Sequence, residues 1–381
     1  MIARLAIPII LTVLLTNVYF DRVRWRRLVL WRRLLCWLPP VTTVAVTIVM
    51  ADTPYYFPDQ IYKLELYLAL VAVYIAPMAL VALCSLLGRC VRRPATGRLV
   101  GWAMALLVAA VYVYGNTVGF GRLEVTRMEI ACKDLPKAFD GYKIVQFSDA
   151  HVGTYTGWRQ SILKRAVDSI NAQQADMVVF TGDLQNKEPS ELVEHMPLLS
   201  AIKAKDGVFS VLGNHDYTTY LGTDDPFVVS RNMGMIEGMQ TDMGWTLLLN
   251  DHRYINRDSS RIVIAGMEND GEGRFPQLGN INATLYGVSL NDFVIMLEHD
   301  PTSWRRKILP HSHTQLTLSG HTHAAQFSIC GWSPAALQYR EYEGLYQLGD
   351  RALYVSKGLG GVVPFRFGAS GEIVVITLRC K

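Results

Sequence analysis

Five short polar signatures containing carboxylates, an amide and histidines follow one another through the last two-thirds of this chain. They are Asp149-Ala150-His151, Gly182-Asp183, Gly213-Asn214-His215-Asp216, Glu298-His299 and Gly320-His321-Thr322-His323. Imidazole nitrogens and carboxylate or amide oxygens are the ligands that bind divalent transition metals in proteins. Together the signatures supply enough ligands for a hydrolytic site with two metal ions.

Each signature follows a short apolar run with the composition of a buried β-strand. The runs are Lys143–Phe147, Met177–Phe180, Val208–Val211, Phe293–Met296 and Leu316–Leu318. Open α/β sheets bind their ligands at the carboxyl ends of such strands. Between the first two runs, residues 158–172 carry apolar side chains at helical spacing. Strands that alternate with helices early and follow one another closely later predict an α/β sandwich built from two sheets.

In their order and residue types, the five signatures resemble those of the calcineurin-like metallophosphoesterase superfamily, and the chain is similar to its bacterial membrane-anchored branch. The resemblance covers about residues 140 to 380. It implies a four-layer αββα sandwich and hydrolysis of a phosphomonoester, phosphodiester or pyrophosphate bond. It also divides the metal ligands into three groups: Asp149, His151 and His323 for one ion; Asn214, His299 and His321 for the second; and Asp183 as the bridge between them.

Elementary chemistry agrees with this division of the ligands. His321 and His323 lie two residues apart, so on an extended segment their side chains share a side and can serve adjacent ions. A carboxylate such as Asp183 can bridge two cations because both of its oxygens carry lone pairs. Mixed imidazole and oxygen ligands favour Mn, Fe or Zn, with Mg as a weaker choice. Two such ions would clamp a phosphate and convert a bridging water into the attacking hydroxide.

Two further residues are candidates for catalysis. His215, beside the ligand Asn214, is the candidate general acid for the leaving oxygen, and Asp216 is the candidate group that orients His215 and stabilises its charge. The alternative for Asp216 is an ordinary carboxylate in a turn. Arg366 is either a bidentate contact to the substrate phosphate or a structural residue.

The first third of the chain has a different composition. It contains four apolar stretches: Leu5–Phe20, Leu34–Met50, Leu64–Leu87 and Leu99–Phe120. A membrane-spanning helix needs about 20 mostly apolar residues. Residues 1–121 carry 12 Lys and Arg against 4 Asp and Glu, which leaves 25 of the 37 basic and 29 of the 33 acidic residues to the rest. We therefore predict a membrane anchor of four transmembrane helices at residues 1–121 and a metallophosphoesterase domain at residues 122–381, with no nucleic acid as a partner.

Arginine-rich loops between the apolar stretches predict the orientation in the bilayer. They contain Arg22, Arg24, Arg26, Arg27, Arg32 and Arg33 after the first stretch, and Arg89, Arg92, Arg93 and Arg98 after the third. The positive-inside rule places both loops in the cytoplasm, and hence the catalytic domain on the extracytoplasmic side of a bacterial inner membrane. This holds only if the second stretch crosses the membrane, which the pair Pro39-Pro40 leaves open.

The predicted function is that of an integral-membrane hydrolase acting on a phosphorylated small molecule or a lipid. The alternative is a transporter or signalling membrane protein in which a metal-binding, phosphoesterase-like domain is regulatory. Transporters place ionisable groups inside their membrane spans. The four apolar stretches contain almost none, with Glu65 at one edge, and the set of metal ligands is complete, so the enzyme is favoured.

Overall fold

The computed structural model describes residues 2–53, 60–223 and 225–381 of the chain. It divides into two units, Met1–Gly115 and Asn116–Lys381, the first made of helices and the second of two sheets with helices. The boundary after Gly115 lies six residues before the predicted domain boundary at residue 121.

The first unit consists of long apolar helices. Its helices are α1 (Ile2–Val23), α2 (Leu30–Asp52), α3 (Ile61–Leu70), α4 (Ala76–Cys90) and α5 (Pro94–Tyr114). A π-helical turn joins α3 to α4, and another extends α5. Within the described residues this gives four helices that are long and apolar enough to span a membrane: Ile2–Val23, Leu30–Asp52, Ile61–Cys90 and Pro94–Gly119. Three of the predicted stretches lie within one of them, and the fourth, Leu99–Phe120, extends one residue beyond Gly119.

The proline pair does not interrupt the second of these helices. Pro39 and Pro40 lie inside α2, which is helical over 23 residues. Prolines are tolerated in membrane helices, where neighbouring groups satisfy the freed backbone carbonyls. The helix exceeds the length of about 20 residues that a span requires, so the second stretch is long enough to cross.

Two kinds of contact hold the helices of this unit together. Asp21 of α1 accepts hydrogen bonds of 2.7 and 2.6 Å from the guanidinium of Arg33 in α2. Helices α4 and α5 approach through glycines: a Cβ at Gly88 would lie 2.8 Å from the Cα of Gly97, closer than real Cβ contacts. Small residues at such positions let membrane helices pack closely in the absence of a hydrophobic driving force.

The second unit is built on two six-stranded mixed sheets, with the orders β1-β12-β2-β3-β4-β5 and β10-β11-β9-β8-β7-β6. The strands are β1 (Leu123–Cys132), β2 (Lys143–Phe147), β3 (Met177–Phe180), β4 (Val208–Ser210), β5 (Trp245–Leu247), β6 (Asp251–Arg257), β7 (Ser260–Gly266), β8 (Phe293–Leu297), β9 (Leu316–Ser319), β10 (Gly344–Leu348), β11 (Arg351–Val355) and β12 (Gly371–Cys380). Strands β2 to β5 run parallel in the first sheet, as do β7, β8, β9 and β11 in the second.

Helical segments cover the outer faces of the two sheets. The helices of this unit are α6 (Gln160–Ala172), α7 (Met196–Leu199), α8 (Pro226–Asp242), α9 (Ile281–Thr284) and α10 (Leu309–His311). Ile144 of β2 packs between the sheets with Ile264 of β7. Its neighbour Val145 faces the other way and packs with Leu163 of α6, while Trp304 packs on the outer face of the second sheet. This alternation along the strands produces four layers, and the predicted αββα sandwich is confirmed.

Helix α6 illustrates how the sequence pattern determines packing. It begins at Gln160 and ends at Ala172, within the predicted range 158–172. The side chains at helical spacing are its buried residues: Ile162, Leu163, Ala166, Val167 and Ile170. A stripe of this kind lets a helix bury one face on a sheet and leave the other in water.

Candidate metal centre

The five signatures lie in the loops that follow β2, β3, β4, β8 and β9. Because the three strands of the first sheet are parallel, and so are the two of the second, these loops leave the carboxyl ends of their strands. The two sheets bring these ends to one edge of the sandwich, where side chains from all five loops meet. The position is the one expected for a ligand site of an α/β sheet.

The potential ligand atoms form two groups that share one carboxylate. In the described residues, atoms of Asp149, His151, Asp183 and His323 all lie within 4.8 Å of one another. A second group contains Asp183, His299 and His321 at the same spacing. The Asp183 Oδ2 atom lies 3.2 Å from His299 Nε2 and 3.6 Å from His151 Nε2. A carboxylate in this position can contribute to two ions at once.

The first group has the spacing of ligands around a single cation. His323 Nε2 lies 3.3 Å from Asp149 Oδ1 and 3.3 Å from His151 Nε2. Two ligand atoms about 2.1 Å from one ion and at a right angle to each other are about 3 Å apart. Two imidazole nitrogens and a carboxylate oxygen at this distance therefore fit a metal ion.

In the second group, the hydrogen bonds of the histidines fix which ring nitrogen carries the proton and which is free to bind a metal ion. His299 Nδ1 lies 2.7 Å from the carbonyl oxygen of Thr181 and must donate to it. In neutral His299 the lone pair of Nε2 then faces the Asp183 carboxylate, an arrangement that needs a proton or a cation between them. His321 Nδ1 lies 2.7 Å from Asn214 Oδ1. The Asp and His cluster and the amide thus provide a dinuclear metal site.

Burial and charge set the protonation of these groups. Burial lowers the pKa of His151 to about 3 and that of His321 to about 4. Both imidazoles are therefore neutral at physiological pH, the form that binds metals. Burial raises the pKa of Asp149 to about 7. Burial alone would lower the pKa of His299, but the adjacent Asp183 carboxylate raises it to about 10. The Asp183 carboxylate thus favours positive charge at the position of His299.

The backbone of the metal-binding loops is strained. Five of the seven predicted ligands have left-handed φ angles: Asp149 at 53°, His151 at 45°, Asp183 at 61°, His321 at 75° and His323 at 51°. Non-glycine residues rarely adopt this conformation, and it persists only where surrounding contacts impose it, commonly at functional sites. One such contact is the hydrogen bond from the His321 N–H to the Asp149 carboxylate, at 3.0 Å.

Gly182 allows three of the loops to approach one another. Its φ angle is 94°, and a Cβ at this position would lie 2.6 Å from Gly213 N and 2.7 Å from His299 Nδ1. Any other residue would displace either the loop after β4 or the His299 ring. The glycine before Asp183 is therefore required by packing as well as by φ.

The two candidate catalytic residues have different surroundings. The backbone N–H of His215 donates to Asp183 Oδ1 at 2.8 Å, and its ring Nδ1 donates to the carbonyl of Asn186 at 2.6 Å. The buried carboxylate of Asp216 instead accepts backbone N–H groups, at 2.9 to 3.2 Å, from Asp183, Leu184, Gln185 and Gly213. The orienting contact to His215 that the sequence suggested for Asp216 is thus made by Asn186. Asp216 ties the loop after β3 to the loop after β4.

Two tyrosines that carry no sequence signal also contact the site. The Tyr220 ring stacks on His215 with centroids 4.1 Å apart, and its hydroxyl accepts a hydrogen bond of 2.7 Å from Asn214 Nδ2. The Tyr339 hydroxyl lies 2.9 Å from His321 Nε2. Neither residue belongs to one of the five signatures, and only the fold brings them to the metal ligands.

Arg366 has a structural role. Its side chain is fully buried and donates to the backbone carbonyls of Lys357, Gly358, Gly360, Ala369 and Ser370 at 2.5 to 3.2 Å. This loop packs directly on the metal centre, since a Cβ at Gly358 would lie 2.8 Å from the Cβ of Asp149. Arg366 therefore supports Asp149 from behind and has no donor directed at a substrate.

This fold and this site define a metal-dependent phosphoesterase. The family model described as calcineurin-like phosphoesterase matches residues 142–325. The uncharacterized metallophosphoesterase YkuE of Bacillus subtilis is 33% identical over 288 residues, which cover 73% of this chain and 93% of that protein. The chain belongs to the calcineurin-like phosphoesterase family, as its signatures predicted.

The names of two other relatives describe a membrane location in one case and a substrate in the other. A transmembrane protein with metallophosphoesterase domain of Danio rerio is 31% identical over 72% of this chain, which spans 62% of the length of that relative. The UDP-2,3-diacylglucosamine pyrophosphatase LpxG of Chlamydia trachomatis is 28% identical over 71% of this chain and 92% of its own length.

The shared carboxylate leads to a prediction about metal content. Asp183→Asn is expected to reduce the metal bound to the purified full-length protein towards zero, because both ligand groups lose the charge of Asp183. Asn214→Ala removes the amide oxygen that lies beside His321 of the second group, away from the first group, and is expected to leave one ion. The metal content of both variants is measured by elemental analysis after separate dialysis against manganese, iron, zinc and magnesium. Asp168→Asn, an exposed carboxylate on α6, is the control and should retain two ions. Equal loss in Asp183→Asn and Asn214→Ala would contradict the division into two groups.

Proposed function

We propose that this protein is an integral-membrane phosphoesterase that hydrolyses a phosphomonoester, phosphodiester or pyrophosphate bond of a lipid or lipid-linked substrate. The observation that carries the proposal is that two groups of ligands, at the strand ends of a calcineurin-like phosphoesterase, share Asp183. Four helices able to span a membrane precede the catalytic unit.

In this proposal each ligand keeps the role that the sequence suggests. The ligands are Asp149, His151 and His323 for one ion, Asn214, His299 and His321 for the other, and Asp183 for both. When bound, two divalent ions supply Lewis-acid chemistry, polarising the phosphate and making a water nucleophilic near neutral pH. Manganese, iron or zinc suits the mixed nitrogen and oxygen ligands. Asp183 and the neutral histidines fix where the phosphate binds.

His215 donates the proton that the leaving oxygen requires. Its Nδ1 is held by the carbonyl of Asn186, so the proton on Nε2 of the imidazolium is the one available for transfer. Tyr220 stacks on the ring, and this contact together with the hydrogen bond to Asn186 restricts the imidazole to one orientation. A proton donor held in this way lowers the barrier for departure of a basic alkoxide or phosphate.

Exposed apolar side chains on the segment that follows the last metal ligands, here called the apolar surface, support a substrate with acyl chains. Ile329, Trp332 and Leu337, which are 51%, 51% and 82% exposed, lie on the segment between His323 and Tyr339. The segment is tied to the turn that carries the last ligands, because the Ser333 hydroxyl donates to the Ala324 carbonyl at 2.6 Å. Large apolar side chains that stay exposed beside a site are candidates for contact with a lipid or a protein. The name of the relative LpxG, a pyrophosphatase for a diacylated sugar nucleotide, points to the same substrate class.

Proton donation by His215 leads to a prediction about leaving groups. After chelation and re-addition of manganese, iron, zinc or magnesium, His215→Gln should lower kcat for an alkyl phosphodiester by about 100- to 10,000-fold. The loss should be much smaller for a nitrophenyl ester, because that leaving group departs without a proton. Steady-state kinetics of the full-length protein measures both, with metal content as a check.

His311→Gln is the matched control, since His311 is exposed and precedes β9 at the opposite end of the strand from the ligands. It should behave as the unmodified protein. The proton-donor role would be refuted by equal losses for the two leaving groups with metal content unchanged. Activity that needs no metal would refute the proposed function itself.

The apolar surface leads to a prediction about chain length in the substrate. Trp332→Ser combined with Leu337→Ser should raise KM for an acylated phosphodiester by about tenfold, since each large side chain contributes about 1.5–3 kcal/mol when fully buried and less when partly buried. The KM for a water-soluble nitrophenyl ester should not change. Leu290→Ser, which alters a residue that is 81% exposed before β8, is the control. Equal KM changes for the two substrates would exclude a role in binding acyl chains.

We also propose that the catalytic unit lies on the extracytoplasmic side of a bacterial inner membrane. The arginine-rich segments after α1 and α4 face the cytoplasm by the positive-inside rule, and four spanning helices return the chain to the side where it began. Alkaline phosphatase fused after Lys381 should therefore be active in a bacterial host, and green fluorescent protein at the same point should be dark. The reverse pair of results would place the unit in the cytoplasm.

A further inference from the structure

The helical unit contains a cavity of its own. Its volume is about 120 Å³, and its walls come from the end of α1 with the turn that follows it, from α4 and from α5. A single water needs about 10–15 Å³ of such space, so the cavity holds more than one solvent molecule. It is therefore large enough for a polar group of several atoms.

Positive charge dominates the walls of the cavity. Arg24, Arg89 and Arg98 all line it. Asp21 of this unit pairs with Arg33 at 2.6 Å, and among the described residues none of the three lining arginines forms an ion pair. The cavity therefore presents several positive charges without a carboxylate to balance them, and its electrostatics favour an anion.

A buried hydroxyl in the wall also lacks a partner. Ser85 of α4 lines the cavity and is 4% exposed, and its Oγ has no hydrogen-bond partner among the described residues. Other hydroxyls of this unit donate to the carbonyl four residues earlier, as Thr43 and Thr47 do at 2.8 Å. A buried hydroxyl without a hydrogen bond is destabilising. Ser85 is satisfied if an anionic oxygen enters the cavity.

We propose that this cavity binds the phosphate group of an anionic phospholipid. Arg24, Arg89 and Arg98 balance its charge, and Ser85 donates a hydrogen bond to one of its oxygens. Basic pockets between transmembrane helices at their cytoplasmic ends bind such headgroups. Trp25 and Trp102 also line the cavity, and tryptophan is enriched at the depth of the lipid headgroups.

The test compares lipid binding by variants of equal net charge. The delipidated full-length protein is titrated with phosphatidylglycerol, and separately with phosphatidylcholine, and occupancy is read by native mass spectrometry. Arg89→Gln combined with Arg98→Gln should weaken phosphatidylglycerol binding by about 30-fold, because each arginine contributes about 1 kcal/mol. Arg92→Gln combined with Arg93→Gln removes the same charge from the turn between α4 and α5, at residues that do not line the cavity. This variant should bind phosphatidylglycerol less than about fivefold more weakly than the unmodified protein, because only screened surface charge is lost.

Ser85→Ala tests the cavity without any change of charge. It should weaken phosphatidylglycerol binding by about tenfold, the usual effect of one hydrogen bond to a charged group. Thermal unfolding and hydrolysis of a soluble ester check that each variant is folded. These readouts also separate failure of the lipid site from failure of the proposed function.

Competition with millimolar inorganic phosphate distinguishes a phospholipid from free phosphate as the source of the bound phosphate group. If phosphate does not displace the lipid, and the losses follow Arg89, Arg98 and Ser85, the ligand is a phospholipid. If phosphate displaces it with the same residue dependence, the cavity is a site for a soluble phosphate and the lipid assignment is overturned. Equal losses in the two double variants, with no effect of Ser85→Ala, would show diffuse surface charge and overturn the site altogether.

Discussion

The burial of one ionised carboxylate is the constraint on which the catalytic unit depends. Asp183 is 1% exposed. Burial alone would raise its pKa, yet the charges of His299 and His215 hold that pKa well below its usual range. A buried charge of this kind is tolerated only when opposite charges and hydrogen bonds surround it. The position of Asp183 at the strand ends, where the two ligand groups meet, thus favours positive charge around it, and both groups share this carboxylate.

Holding these ligands requires support from residues that never touch a substrate. The left-handed backbone at the ligands is unfavourable by about 1–3 kcal/mol for each residue, so it must be imposed from outside. Asp216 does this for the loops after β3 and β4 by accepting four backbone N–H groups. Arg366 does it for the loop behind Asp149 with donors to carbonyls. Asp216 and Arg366 are thus buried charged residues that hold backbone segments in place through hydrogen bonds. In the sequence alone, such residues resemble catalytic groups.

This difference explains how much of the molecule the sequence could predict. The periodicity of apolar side chains can be read from the sequence, and it predicts the strand ends, the apolar stripe of α6 and the apolar helices. The predicted ligands come together because each stands at the end of a parallel strand. The carbonyl of Asn186 that orients His215 could not be predicted, since every residue has a backbone carbonyl. The contact of Tyr339 with His321 could not be predicted either, because Tyr339 lies on a segment without a periodic pattern.

The two units satisfy their charges in different ways. In the catalytic unit the buried Asp270 pairs with Arg306 and Lys307, Glu372 pairs with Lys357, and Arg366 binds carbonyls. These interior charges are balanced within the chain, whereas the metal centre gathers carboxylates and imidazoles that suit cations. In the helical unit the imbalance has the opposite sign, because arginines and the Ser85 hydroxyl line a cavity with no acid. Since proteins leave few buried polar groups without partners, the buried Asp183 fits a metal site. The buried Ser85 hydroxyl supports the proposed anion site, to which the exposed arginines add positive charge.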